Sequence, residues 1–273
     1  MKIKKILLGF FALISVLTLA ACSSSSSSNE NLQEKIVKKG KLVVAISPDY
    51  APFEFKALVD GKDTIVGADV ELAQAIADEL GVELELSSMS FDNVLSSLQT
   101  GKADMAISGL SYTEERAKVY DFSDAYYETE NAILVNASDV DKYTSVDSLS
   151  GLKVAVQKGT IEESLAKDQL SDSNIVSLTA MGEAINELKS GQVQAVDLEK
   201  PVAEGYLSQN SDLALASFAL ETGEGDAKAV AMPKNSGKLV KTVNKVIKKL
   251  AKEDKYKQYI SDAAQLTGDA VDD

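Results

Sequence analysis

Across 273 residues the chain carries 28 basic and 42 acidic side chains, one cysteine and no histidine, for a formal net charge of -14. That balance argues against nucleic acid as a partner, whose phosphates demand a basic face. The missing histidine excludes Ser-His-Asp and Cys-His nucleophile systems and histidine-held zinc or iron, leaving carboxylate chemistry, oxygen-ligated cations, or binding without chemistry.

Lys2, Lys4 and Lys5 precede an apolar segment, Ile6 to Ala21, that ends in "LAAC". At about 1.5 Å per residue it would reach only some 24 Å, short for a bilayer core. Residues 1–21 are therefore expected to be a signal peptide. "LAAC" resembles the lipobox of bacterial lipoproteins, which implies cleavage before Cys22 and acylation of that residue; a free cysteine beside an ordinary cleavage site is the alternative. Ser23 to Ser28 follow as a polar tether, so that residues 22–40 read as anchor, tether and a short helix, Leu32 to Lys39. With no second cysteine, no intramolecular disulfide can form.

"KLVVAIS", Lys41 to Ser47, has the β-branched character and length of a strand. The two prolines of "PDYAPFEF" forbid regular helix and put Tyr50 and Phe53 on an ordered loop at the strand's carboxyl end. "DGKDT" reads as a hairpin turn. Apolar residues at Val70, Ala73, Ile76, Ala77 and Leu80 predict a helix closed by Gly81. "VELEL" alternates as a strand, Phe91 to Thr100 is a second helix, and Met105 to Ser108 a buried strand that breaks at Gly109. The alternation indicates an α/β sheet.

Next comes "GLSYTEER", with Arg116, the only arginine of the chain. A lone guanidinium among lysines suggests a task for its planar fork, two N–H donors on one carboxylate or phosphate, although an exposed helix charge is the plainer alternative. Ser111 and Glu114 have capping-box spacing, so the helix is expected to start at Ser111 and to add free amides to an anion site.

The pattern then returns. "VLSSLQTGKADMAISG" from Val94 aligns with "AINELKSGQVQAVDLE" from Ala184 at an offset of 90 residues, and "GKLVVAIS" from Gly40 with "GLKVAVQK" from Gly151. Two matches in the same order favour two similar α/β lobes. "NAILV", Asn131 to Val135, and "DAKAVAM", Asp226 to Met232, read as two antiparallel crossings and hence a hinge. Leu239 to Leu250 reads as an amphipathic helix packed back on the first lobe. The expected division is 41–130 plus 232–273 for lobe 1 and 131–231 for lobe 2.

Ligands of open α/β sheets collect beyond the carboxyl ends of strands. If the lobes face each other, Gly109, Ser111 and Arg116 from one and Thr160, Ile161 and Glu199 from the other converge on one cleft. A guanidinium and amides at one end, a carboxylate at the other and aromatics nearby describe a receptor for an α-amino acid. Arg116 with the amides of Ser111 and Ile161 would hold its carboxylate, Glu199 and the Gly109 carbonyl its ammonium, and Tyr50 and Phe91 would flank its side chain. Other readings stand beside these: Tyr50 and Phe53 as core aromatics, Phe91 as a helix-start staple, Glu199 with Lys200 as a surface ion pair, Asp121 and Asp124 as loop caps.

"DYAPFEF", "GADVELAQAIADEL", "FDNVLSSLQTGKADMAISGLSYTEERAKVYDFSDAYY" and "AVDLEKPVAEGYL" resemble the polar amino-acid-binding proteins of ABC importers, which have the type II periplasmic-binding-protein fold. The resemblance covers nearly everything from Lys41 onward. It implies that Arg116 clamps the ligand α-carboxylate with Ser111 and Gly109, that Ser108 touches the ligand side chain, and that the partners are a free amino acid, a membrane permease and its ATPase. Glu199 stands where the family has a shorter aspartate. Ser47 stands where several binders of cationic amino acids have aspartate, so that Asp49 or Glu54 is left to supply that charge, and Ala68 replaces a bulkier residue.

The expectation is a monomeric lipoprotein outside the cell membrane, without cofactor or metal, that takes up a polar or basic amino acid. Arginine is favoured, with glutamine, lysine, histidine or cystine behind it. A lysine-rich, arginine-poor chain suits a Gram-positive source. The alternatives are a dehydratase-like enzyme on the same fold, with Glu199 or Glu54 as general acid, and a surface adhesin or sensory module.

Overall fold

The computed structural model describes residues 31–222 and 227–267. The expected signal peptide, Cys22 and the serine tether lie outside the described residues.

Helix α1 (Leu32–Lys39) is capped by the Asn31 side chain and ends at Gly40 in the left-handed region. It leads into β1 (Lys41–Ile46). The proline-bearing segment, expected as a loop, is a tight hairpin: β2 (Asp49–Tyr50) turns back through Ala51–Pro52 to pair with β3 (Glu54–Val59). β3 continues through Asp60–Gly61, both at positive φ, into β4 (Lys62–Val66), the conformation a two-residue Asp-Gly hairpin favours. Gly67 then lets the start of α2 (Ala68–Leu80) press onto that hairpin, since a Cβ there would stand 2.1 Å from the Phe53 carbonyl oxygen. β5 (Glu83–Ser88), α3 (Phe91–Gln99), β6 (Met105–Ala106), α4 (Glu114–Val119), β7 (Tyr120–Phe122) and β8 (Tyr127–Glu128) complete the first half.

The second half runs β9 (Asn131–Asn136), β10 (Lys153–Gln157), α5 (Ile161–Gln169), β11 (Asn174–Leu178), α6 (Met181–Lys189), β12 (Ala195–Glu199), α7 (Lys200–Gln209) and β13 (Leu213–Leu215). The chain returns through β14 (Ala227–Lys228) and β15 (Ala231–Pro233) to α8 (Gly237–Lys252) and α9 (Lys255–Leu266).

Two five-stranded sheets result, in the orders β5-β1-β6-β15-β7 and β11-β10-β12-β9-β13. In each, the first three strands are parallel and the last two antiparallel to their neighbours. The 90-residue echo in the sequence is thus a repeated topology: β1, α3 and β6 occupy the places of β10, α6 and β12. Apolar residues bury both faces of each sheet. Leu239, Val243, Val246, Ile247 and Leu250 of α8 close the face of the first sheet that α1 and α2 also cover, as their spacing predicts.

One expectation is corrected. "NAILV" is not a crossing segment, because β9 pairs along its length with β12 and β13 inside the second sheet. The crossing ladder is β8 against β14, two residues from each strand.

Candidate functional site

Tyr50, Phe91, Gly109, Ser111, Arg116, Gln157, Thr160, Ile161, Glu162 and Glu199 line one small cavity. All follow the carboxyl ends of parallel strands or sit on them, where a doubly wound sheet gathers ligands. Eight are the residues that sequence reasoning singled out. The free space left among these side chains is about 10 Å³, room for roughly one water, so the two lobes close tightly over the site. A roomier groove between the β2 corner and helices α6 and α7 carries Asp49, Lys56, Glu183 and Glu187 but neither Arg116 nor the α5 terminus.

Arg116 sits in α4, which starts three residues later than expected. Thr113, not Ser111, caps it, accepting from the Arg116 amide at 3.1 Å, so no Ser111–Glu114 capping box forms. With six residues and Glu114 and Glu115 in its first turn, this helix offers no anion site of its own. The guanidinium is the donor: its Nη1 donates to the Ser111 carbonyl at 2.6 Å and its Nη2 to the Gly159 carbonyl of the opposite lobe at 3.0 Å. Those two anchors orient the fork. On the facing lobe, Thr160 caps α5 by accepting from the Glu163 amide at 3.2 Å, which leaves the α5 terminus and its dipole beside the cavity.

Glu199 ends β12 and is 2% exposed, so it is no surface ion pair with Lys200, which pairs with Glu130 instead. Its partner is Lys228, a fully buried lysine on β14 whose Nζ donates to a Glu199 carboxylate oxygen and, at 2.5 Å, to the Ser111 hydroxyl. Sequence reasoning passed over Lys228 because nothing in its neighbourhood sets it apart from the other lysines. It also missed Gln157 and Glu162, although Glu162 stands beside the Thr160–Ile161 pair and is 3% exposed.

Ser108 and Glu54 do not line the cavity. They lie beneath its floor, where Ser108 Oγ donates to Glu54 Oε1 at 2.9 Å and accepts from the Ser47 amide at 2.9 Å. Burial pushes the Glu54 carboxyl well above the usual carboxylate range, and the charge of Asp69 pushes it further. Asp69 itself is raised by burial, although Tyr256, Gly109 and Tyr126 donate to it at 2.6, 2.7 and 2.9 Å. The Gly109 amide is tied down by this network. A Cβ on Gly109 would press on the Tyr50 ring at 3.1 Å, with the backbone at φ +51. Tyr50 in turn stacks on Phe53, ring centroids 6.0 Å apart, and Phe53 is wholly buried. Phe53 is a core residue, while Tyr50 serves both the core and the cavity.

The lobes are closed on each other. Lys158 pairs with Asp92 at 2.9 Å, and one oxygen of Asp49 accepts from Gln157 Nε2 and from the Met181 amide, both at 2.9 Å. Burial raises the Asp49 carboxyl despite those bonds. Asp49 is thus a clasp between lobes and does not line the small cavity. Among the described residues no cluster of acidic or cysteine side chains is grouped to hold a metal, and no helix is long and apolar enough to cross a membrane.

Residues 42–262 match the model of the bacterial extracellular solute-binding proteins, family 3. The arginine-binding extracellular protein ArtP of Bacillus subtilis is 36% identical over 254 residues, 90% of this chain and 92% of that protein. A Streptococcus pneumoniae amino acid ABC transporter substrate-binding protein, crystallised with L-arginine, is 55% identical with a TM-score of 0.85 over 86% of this chain and 98% of that one. An ancestral amino-acid-binding protein, a precursor of cyclohexadienyl dehydratase, is 34% identical with a TM-score of 0.77 over 84% and 98%.

Proposed function

The chain belongs to the bacterial extracellular solute-binding proteins of family 3, and from that premise we propose that it captures L-arginine outside the cell and hands it to the permease of an ABC importer. The observation that carries this reading is the convergence of Arg116 from one lobe and Glu199 from the other on a single closed cavity. The ligand carboxylate meets the Arg116 fork and the amides of Ser111 and Ile161, a planar pairing that lysine cannot reproduce. The ammonium meets Glu199 and the Gly109 carbonyl, and Tyr50 and Phe91 flank the side chain.

Two facts favour arginine over glutamine and cystine. Beyond Glu199, which is left for the ligand ammonium, the cavity wall carries a second carboxylate, Glu162, that can face a cationic side chain. The relative at 55% identity was crystallised with L-arginine. The role is capture without turnover, with arginine released unchanged: of the two candidate acids, Glu54 lies under the floor beside Ser108 and Glu199 is engaged by Lys228. Cys22 carries the lipid that anchors the chain outside the membrane, the serine run is its tether, and the two lobes, the second beginning near residue 131 and ending before β15 rejoins the first sheet, move as the two bodies that close on the ligand.

Calorimetric titration against the twenty amino acids and cystine tests this. One-to-one binding with L-arginine tightest is expected, and Arg116→Ala abolishes it. Because α4 contributes no buried residue, the free variant melts within about 2 °C of the unmodified chain. Retained affinity in Arg116→Ala, or no binding of any amino acid, removes the assignment.

A further inference from the structure

Lys228 touches residues assigned to both ends of the ligand, and it does so from the crossing ladder. Its Nζ donates to Ser111 Oγ, at the carboxylate end, and to Glu199, at the ammonium end. It is fully buried. Its strand β14 forms the crossing ladder with β8, and its neighbours tie the same region together: the Tyr112 amide donates to the Ala227 carbonyl at 2.9 Å, and the Ala229 amide to the Leu110 carbonyl at 3.0 Å. The Ser111 backbone is bridged to Lys228 itself. The ammonium is therefore held by main chain on the first lobe while it reaches a carboxylate on the second.

Resting on the amino-acid reading above, we propose that Lys228 is a positioning residue for ligand recognition. An ammonium has three donors and no acceptor. Facing it, the Ser111 hydroxyl accepts, which fixes the position of that oxygen at the carboxylate end of the site. Glu199 has two oxygens and room for several donors. Lys228 engages one of these oxygens, offsets its charge in a cavity where a lone charge is costly, and fixes the direction from which the ligand ammonium approaches. Selectivity for molecules bearing both an α-carboxylate and an α-ammonium follows from this one side chain.

The test is a binding cycle with L-arginine on the full chain: Lys228→Met, Glu199→Gln, the double variant and Lys228→Arg, each checked for fold by circular dichroism and melting. Lys228→Met is expected to weaken binding about 100-fold, the scale for truncating one partner of a buried charge pair. In the Glu199→Gln background the same change is expected to cost less than about threefold, because the group it positions is gone. Lys228→Arg restores affinity to within about tenfold of the unmodified chain. A side chain that serves the fold alone would move the melting temperature and leave the cycle additive, so additive losses overturn the proposal, as does unchanged affinity in Lys228→Met. Should Lys228→Met fail to fold, Lys228→Arg and Lys228→Gln carry the cycle to the same two outcomes. Absence of arginine binding in the unmodified chain would instead strike at the functional reading and not at Lys228.

Discussion

Glu54 shows how one buried side chain can support a binding site that it does not touch. Its raised affinity for a proton, caused first by burial and then by Asp69, makes it a neutral donor toward Asp69 and an acceptor from Ser108. Because its folded value exceeds the unfolded one, its contribution to stability is fully present below about pH 4.3, the ordinary glutamate value, and is lost as pH rises through the folded value. Glu54→Gln reproduces the protonated shape without a titratable group. Its melting temperature is expected to equal or exceed that of the unmodified chain at pH 8, with the advantage shrinking toward pH 5, and thermal melts across that range measure it. Glu54→Ala is expected to lose about 1–3 kcal/mol at either pH, by leaving Ser108 and Asp69 short of a partner. At this scale the sequence was legible where a residue type is rare. Arg116 stood out because no other arginine exists, whereas Lys228 shares its identity with every basic residue except Arg116, and burial distinguishes it. Glu54 was noticed as a charge, but the proximity to Asp69 that neutralises it joins positions 15 residues apart through the fold of the β3–β4 hairpin.

Among the elements, α4 is the most dependent on a single local contact. It buries no residue, so its position rests on the Thr113 cap and on the bonds that Arg116 makes to Ser111 and Gly159. Thr113→Ala removes the acceptor for the Arg116 amide and is expected to cost about 1 kcal/mol of local helix stability. The guanidinium loses its fixed origin with it, so arginine affinity is expected to fall about fivefold, the equivalent of that energy, while α2 and α8, packed by many apolar residues, keep the global melt unchanged. Titration calorimetry beside a melt separates the two effects. Spacing alone placed the helix start at Ser111, since Ser-x-x-Glu is a capping signal; a threonine two residues later serves as well, and the bridge between Ser111 and Lys228 keeps Ser111 extended. Long elements such as α8 were readable from periodicity because burial selects one face over four turns. The two-residue strands of the crossing ladder are too short to carry any period.

At the scale of the whole molecule, closure brings Asp49 of the first lobe onto the second, and this sets a pH dependence of its own. Both Gln157 Nε2 and the Met181 amide donate to the same Asp49 oxygen, while Ser47 Oγ donates to the other at 3.0 Å. The carboxyl is nevertheless raised, because burial outweighs those bonds; the other acid that senses it is Glu54, on its own lobe. With the lobes apart Asp49 regains water and its ordinary value near 3.9. The closed form therefore holds the proton more tightly than the open form, so closure is favoured as pH falls through the raised value and opposed as pH rises above it. Asparagine keeps one oxygen for both donors from the second lobe and carries no charge to desolvate. Asp49→Asn is accordingly expected to bind arginine about threefold more tightly at pH 7.5 through an easier closure, with the difference fading toward pH 4.5, and to shift the ligand-free protein toward the compact form in small-angle scattering. Asp49→Ala, which removes the acceptor altogether, is expected to do the opposite. Weaker binding by Asp49→Asn at pH 7.5 would show that the charge holds the lobes together and that the bonds from Gln157 and Met181 outweigh its burial.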